Sequence, residues 1–179
     1  MTELVPGTWT IDPAHSEVAF TIRHMMSKVR GHFGDVSGTI VTGSADPKDA
    51  TVEAHVAVAS IDTNQAQRDE HIRTAEILGA AEHPTFDFTS TSIVGDGDDY
   101  KINGDLTIKG ITKPVTFDAT FNGAMDPDAF GLFRMGAEGT TVINKKDFGI
   151  EFNIPLQGDA VMLGDKVTIS VTLEATLNR

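Results

Sequence analysis

Between Ser16 and His24 the chain alternates, with Val18, Phe20 and Ile22 apolar at every second place. Successive side chains of a strand point to opposite faces, so this spacing predicts a half-buried strand. The same period returns at 51–60 with Val52, Ala54, Val56 and Val58, and at 85–93 with Phe86 and Phe88. It returns again at 100–108 with Tyr100, Ile102, Leu106 and Ile108, and at 114–121 with Val115, Phe117, Ala119 and Phe121. The longest run is 166–178, where Val167, Ile169, Val171, Leu173, Ala175 and Leu177 face one way. Weaker alternation marks 36–43 and 132–142, for about eight strands in all.

Turn chemistry separates these runs. "GDGDD" (95–99), "NG" (122–123) and "LGDK" (163–166) supply glycine, asparagine or aspartate for tight reversals. "ADPKD" (45–49) carries a turn proline, and "IKGITKP" (108–114) reads as a hairpin. One segment breaks the period. In 64–79, Ile72, Ala75 and Leu78 lie three apart, which is helical spacing. Asn64 and Gln67 have the spacing of a capping box, Gly79 is the expected stop, and Pro84 bars continuation. A second short helical turn is expected near 144–149. Many amphipathic strands and one helix point to an antiparallel barrel, because closure removes exposed edges.

Composition narrows the function. The 179 residues are expected to form one domain, 1–179, with a sizeable core. The aromatic residues are 10 Phe against one Trp and one Tyr, so aromatic area comes almost without polar handles. A formal net charge of −12 repels phosphate backbones, and no nucleic-acid partner is expected. With no cysteine, disulfides, thiolate metal sites and cysteine nucleophiles are excluded. The opening "MTELVPGTWTIDP" lacks the charged and apolar regions of a signal peptide, which sets the expectation of a cytoplasmic protein. No apolar run approaches the ~20 residues of a membrane span.

"WTIDPAHSEVAFTIRHMM" followed by "VRGHFGDVSGTI" resembles the opening of the YceI-like family of lipocalin-like, polyisoprenoid-binding proteins. "IDTNQAQRDEHIRTAEILGAAEHPTFDF" resembles that family's helix, proline and strand block. "LTIKGITKPVTF", "KKDFGI" and "VTISVTLEA" follow in the family's order, so the likeness covers nearly the whole chain. It departs at Ile77 and Leu78, where the family commonly has an aromatic pair. The resemblance implies an all-β fold, an extended eight-stranded antiparallel lipocalin-like barrel with a helical insertion. It implies a tunnel for an isoprenoid-tailed or fatty amphiphile, such as an isoprenoid quinone, in a carrier or store that is often a homodimer. No cofactor and no catalysis are implied.

The alternation places Phe20, Ile22, Phe86, Phe88, Leu106, Ile108, Phe117, Phe121, Ile169 and Leu173 on the interior, and these are the expected lining. At "QRDEH" (67–71) two readings stand. Arg68 and His71 contact a head group at the tunnel mouth, or Arg68 and Asp69 pin the helix to the barrel, as buried polar groups usually satisfy one another. Arg23 and His24 carry the same pair of readings at a strand end. The six histidines show no metal-ligand spacing, and no nucleophile elbow or nucleotide-binding fingerprint appears. His15 is expected to bond backbone groups and "NKKD" (144–147) to be a solvated turn. The rival readings are an enzyme acting on a bound apolar molecule through Arg68, His71 or His15, and a purely structural barrel whose inward residues fill the core and leave no cavity.

Overall fold

A computed structural model describes residues 2–179. In chain order the elements are β1 (Gly7–Ile11), β2 (Glu17–His24), β3 (Ser27–Phe33), β4 (Val36–Thr42), β5 (Ala50–Ala57) and β6 (Ile61–Asp62). Then come α1 (Ala66–Arg73), β7 (Thr85–Asp96), β8 (Asp99–Ile108), β9 (Ile111–Met125), β10 (Arg134–Asn144) and β11 (Leu163–Leu177). Neighbouring strands run antiparallel, and the sheet closes where β1 meets β11, with Trp9 opposite Leu177 and Ile11 opposite Ala175. The result is a closed eight-stranded antiparallel barrel with one helix.

Eleven strand segments make eight staves because three staves are broken. β1 and β2 both lie along β11, whose end pairs β1 and whose beginning pairs β2. Between them Asp12 caps a short 3-10 turn at Pro13–His15 by accepting from Ala14 N. β3 and β4 continue each other past Gly34 and Asp35, pairing β2 and β1 respectively. β5 and β6 are interrupted by a 3-10 turn at Val58–Ser60. The expected reversals at Asn122–Gly123 and 163–166 are not turns. Asn122 is the extra residue of a bulge inside β9, and 163–166 is an irregularity inside β11. Both bend long strands, which is what curvature in a barrel requires. The Lys109–Gly110 hairpin between β8 and β9 is as expected, with φ of 52° and 77°.

The helix is shorter than its apolar spacing predicts. Its cap is Gln65, whose side chain accepts from Arg68 N, one residue beyond Asn64. It ends at Arg73, and Thr74 Oγ1 donates back to His71 O. Ile77 and Leu78 still pack on the core from a following non-helical loop closed at Gly79.

Candidate functional site

The inward faces of these strands do not meet. Val18, Phe20 and Ile22 of β2, Phe88 of β7, Phe117 of β9 and Ile169 of β11 point inward yet stay only half-buried. Trp9 at the barrel's end is fully buried, so the difference is local rather than general. A cavity of about 600 Å³ lies among the half-buried side chains. Eight strands leave room for one small ligand, and here the room is present. Edge-to-face rings stiffen its wall, with Phe33 to Phe86 at 5.2 Å and Phe88 to Phe117 at 5.4 Å between centroids.

One end is filled. Leu4, Trp9, Ile40, Ala124, Phe133, Met135 and Ala175 form a second buried cluster. Trp9 crosses Phe133 edge to face at 5.0 Å, and its indole N–H donates to Thr42 Oγ1 at 2.9 Å. Val52 and Leu173 touch this cluster and also line the cavity, so they are its floor.

The other end carries the polar groups. Gln67, Arg68 and His71 of α1, with His24, Phe152 and Met162, surround the mouth. Arg68 spends its guanidinium on Thr63, Nε donating to Oγ1 at 2.8 Å and Nη2 to the carbonyl at 2.6 Å. Buried Asp69 accepts from the Thr63 backbone N–H at 2.9 Å and from its hydroxyl. Arg68 and Asp69 thus pin the helix start to the barrel. His71 Nε2 lies 2.7 Å from a Glu76 carboxylate oxygen, and its ring meets Phe152 edge to face at 5.0 Å.

Lys145 overturns the reading of "NKKD" as a solvated turn. The segment is a 3-10 turn at Lys145–Phe148, capped by Asn144 and closed by Gly149 at φ 70°. Its buried Phe148 pulls the turn into the core, and Lys145 follows to 3% exposure. Lys145 is one of the residues that line the cavity, and its ammonium donates to the carbonyls of Ile150 and Phe152, each at 3.1 Å. Burial pushes its pKa down, against the partly opposing field of Asp165.

Nine of the ten interior residues named from alternation line the cavity. Phe121 does not. It sits on the inward parity of β9 but just before the Asn122 bulge, where it packs against the Trp9 cluster. Of the polar candidates, His24, Arg68 and His71 reach the mouth, whereas Arg23 is exposed and does not line the cavity. His15 belongs elsewhere and bonds a side chain rather than backbone, its Nδ1 lying 2.9 Å from Asp12 Oδ2. Asp12, His15 and Glu174 come close enough to hold an ion, but Arg134 already occupies their centre. Its Nη1 reaches Asp12 at 2.6 Å and Glu174 at 2.9 Å, and its Nε reaches Asp128 at 2.7 Å. That guanidinium holds the Asp12 carboxyl down at about 2.

The family model described as a YceI-like domain matches residues 9–175. The chain belongs to the YceI-like family. Escherichia coli protein YceI is 42% identical over 141 residues, 78% of this chain and 73% of that one. A UPF0312 protein of Pectobacterium atrosepticum is 42% identical over 137 residues, 76% of this chain and 71% of that one. Among solved structures, Burkholderia cenocepacia BcnA superposes with a TM-score of 0.80 at 23% identity, covering 93% of this chain and 99% of that one. A polyisoprenoid binding domain from Saccharophagus degradans superposes with a TM-score of 0.71 at 13% identity, covering 95% and 98%. The YceI-like fold thus accounts for the barrel and its helix. Lys145 and Phe33 are among the lining residues that sequence reasoning left out. Phe33 ends the alternating "SKVRGHF", a signal that was present, whereas nothing local to "NKKD" marks Lys145 as buried.

Proposed function

We propose that this protein binds one isoprenoid-tailed or fatty amphiphile with its tail in the barrel, as a carrier or store and not as a catalyst. The observation that carries this reading is the half-buried inward face of the strands around a 600 Å³ cavity. An apolar tail offers no hydrogen bonds and needs such a dry wall, gaining about 0.8 kcal/mol for each buried methylene. Membership of the YceI-like family and the shared fold with the Saccharophagus degradans polyisoprenoid binding domain support it. At roughly 30 Å³ per heavy atom, taking liquid water as the guide, the cavity takes a tail of about 20 carbons. The filled Trp9 end makes the tail enter first and leaves the head at the α1 end. An isoprenoid quinone of that tail length is one cargo of the right chemistry.

Native mass spectrometry of freshly purified protein, followed by solvent extraction, tests this. A stoichiometric isoprenoid or fatty species is the expected result. Protein that is empty and also takes up no added quinone, prenol or fatty acid overturns it. The same spectra report whether a homodimer forms.

A further inference from the structure

We infer that the ammonium of Lys145 is the anchor for an anionic head group, a carboxylate or a phosphate monoester, on the amphiphile whose tail occupies the barrel. The inference rests on the lipid-binding reading and goes on to say what kind of lipid. An ammonium has three protons to donate. Two go to the carbonyls of Ile150 and Phe152 at 3.1 Å, and the third has no partner among the described residues. No carboxylate among them lies within ion-pair distance of this cation, although it is 3% exposed. The acids whose fields reach it are Asp165 and Glu151; neither lines the cavity, and Asp165 faces Lys146, 3.6 Å away.

Burying a cation without a counter-charge is costly, and a ligand anion supplied from the cavity would remove that cost. Hydrogen bonds between ionised partners are also stronger than neutral ones. The other cationic side chain at this end, Arg68, is turned to Thr63 by its Nε and Nη2, which fixes its guanidinium at the helix start. Position agrees with charge. Lys145 lines the cavity together with Phe152 and His71 at the α1 end, opposite the Trp9 floor. A tail laid against Phe20 and Phe88 would bring its head to this end. The two carbonyls hold the ammonium in place, so little side-chain freedom remains to be lost on binding.

Three ligands that share one 20-carbon tail test the inference on the intact chain: geranylgeraniol, geranylgeranoic acid and geranylgeranyl monophosphate. Their affinities are measured by calorimetry for the wild type and for Lys145→Met. In the wild type, at least one anion binds about tenfold or more tightly than the alcohol. A gain for the acid alone identifies a carboxylate cargo, and a gain for the monophosphate alone identifies a prenyl phosphate. Lys145→Met abolishes the anions' advantage over the alcohol, whereas a merely structural lysine would weaken all three ligands alike and leave their ratio unchanged. Should Lys145→Met fail to fold, the wild-type comparison and Lys145→Arg, which keeps the charge, still decide. Equal binding of all three ligands overturns the anchor while leaving the lipid cavity standing. Binding of none removes both.

Discussion

Enlarging a side chain separates a hollow barrel from a packed one. Val18 faces the cavity half-buried, and Val58 is fully buried in the core without touching the cavity. Val→Phe adds about four carbons at either place. At Val58 no space exists, and overpacking costs about 1–3 kcal/mol. At Val18 the ring enters open volume. Phenylalanine is as good a strand former as valine, so stability should stay within about 1 kcal/mol of the wild type. Ligand binding should respond in the opposite order. Room for about four tail carbons is lost, worth about 3 kcal/mol at roughly 0.8 kcal/mol each, or on the order of 100-fold in affinity for a tail that fills the cavity. Urea unfolding gives the first quantity from midpoints at constant slope, and calorimetry with a 20-carbon ligand gives the second. If Val18→Phe destabilises as much as Val58→Phe, the inward face is ordinary core and the reasoning fails.

Three further outcomes are expected. Arg134→Met leaves Asp12, Asp128 and Glu174 facing one another without their cation and should cost about 2–4 kcal/mol in thermal or denaturant unfolding. Asp12, held down at about 2, contributes fully above about pH 4 and loses that contribution toward pH 2; Asp128 is also held below the usual 3.8, and its contribution is lost in the same direction as pH falls. That acid-side loss should be much smaller in Arg134→Met, and an unchanged pH profile would count against the network. Asp87 lies 2.6 Å from His55 and raises its pKa above 6.5. Its stabilising effect is therefore present at low pH and lost as pH rises through the raised value, and Asp87→Asn should lower the midpoint in an NMR titration. Trp9→Ala empties the plug and should cost about 3–5 kcal/mol, read from the unfolding midpoint.

Where one face is wet and the other apolar, the strands were legible. That holds for β7, β8 and β11 from Lys166 onward, whose alternation places Phe86, Leu106 and Ile169 inward. β3 escaped because its inward positions include Gly31, which is small for a reason. A Cβ there would come within 2.7 Å of the Phe20 ring. β1 escaped because five residues are too few for a period to declare itself. Asn122–Gly123 has the composition of a turn but serves as a bulge, since neighbouring β10 continues across it and holds it extended. The mouth was the least legible part. Lys145 is buried by Phe148 three residues later and by carbonyls five and seven residues later, a three-dimensional arrangement that no charge pattern announces. Arg68, by contrast, was legible as a helix pin because its partner Thr63 lies five residues away.

The seam between β1 and β11 has a consequence for synthesis. It joins Trp9 to Leu177, so the ring cannot close until nearly the whole chain has left the ribosome. Contacts of such separation are slow to form. Until then the growing sheet is an open ribbon with raw edges at β1 and at its newest strand, the condition in which sheets join to the wrong neighbour. β11 also receives β2 along its first half, so its arrival completes both halves of the wall together. A stop codon inside β11 would therefore remove the closing event itself, and leave seven staves exposed to pairing between chains.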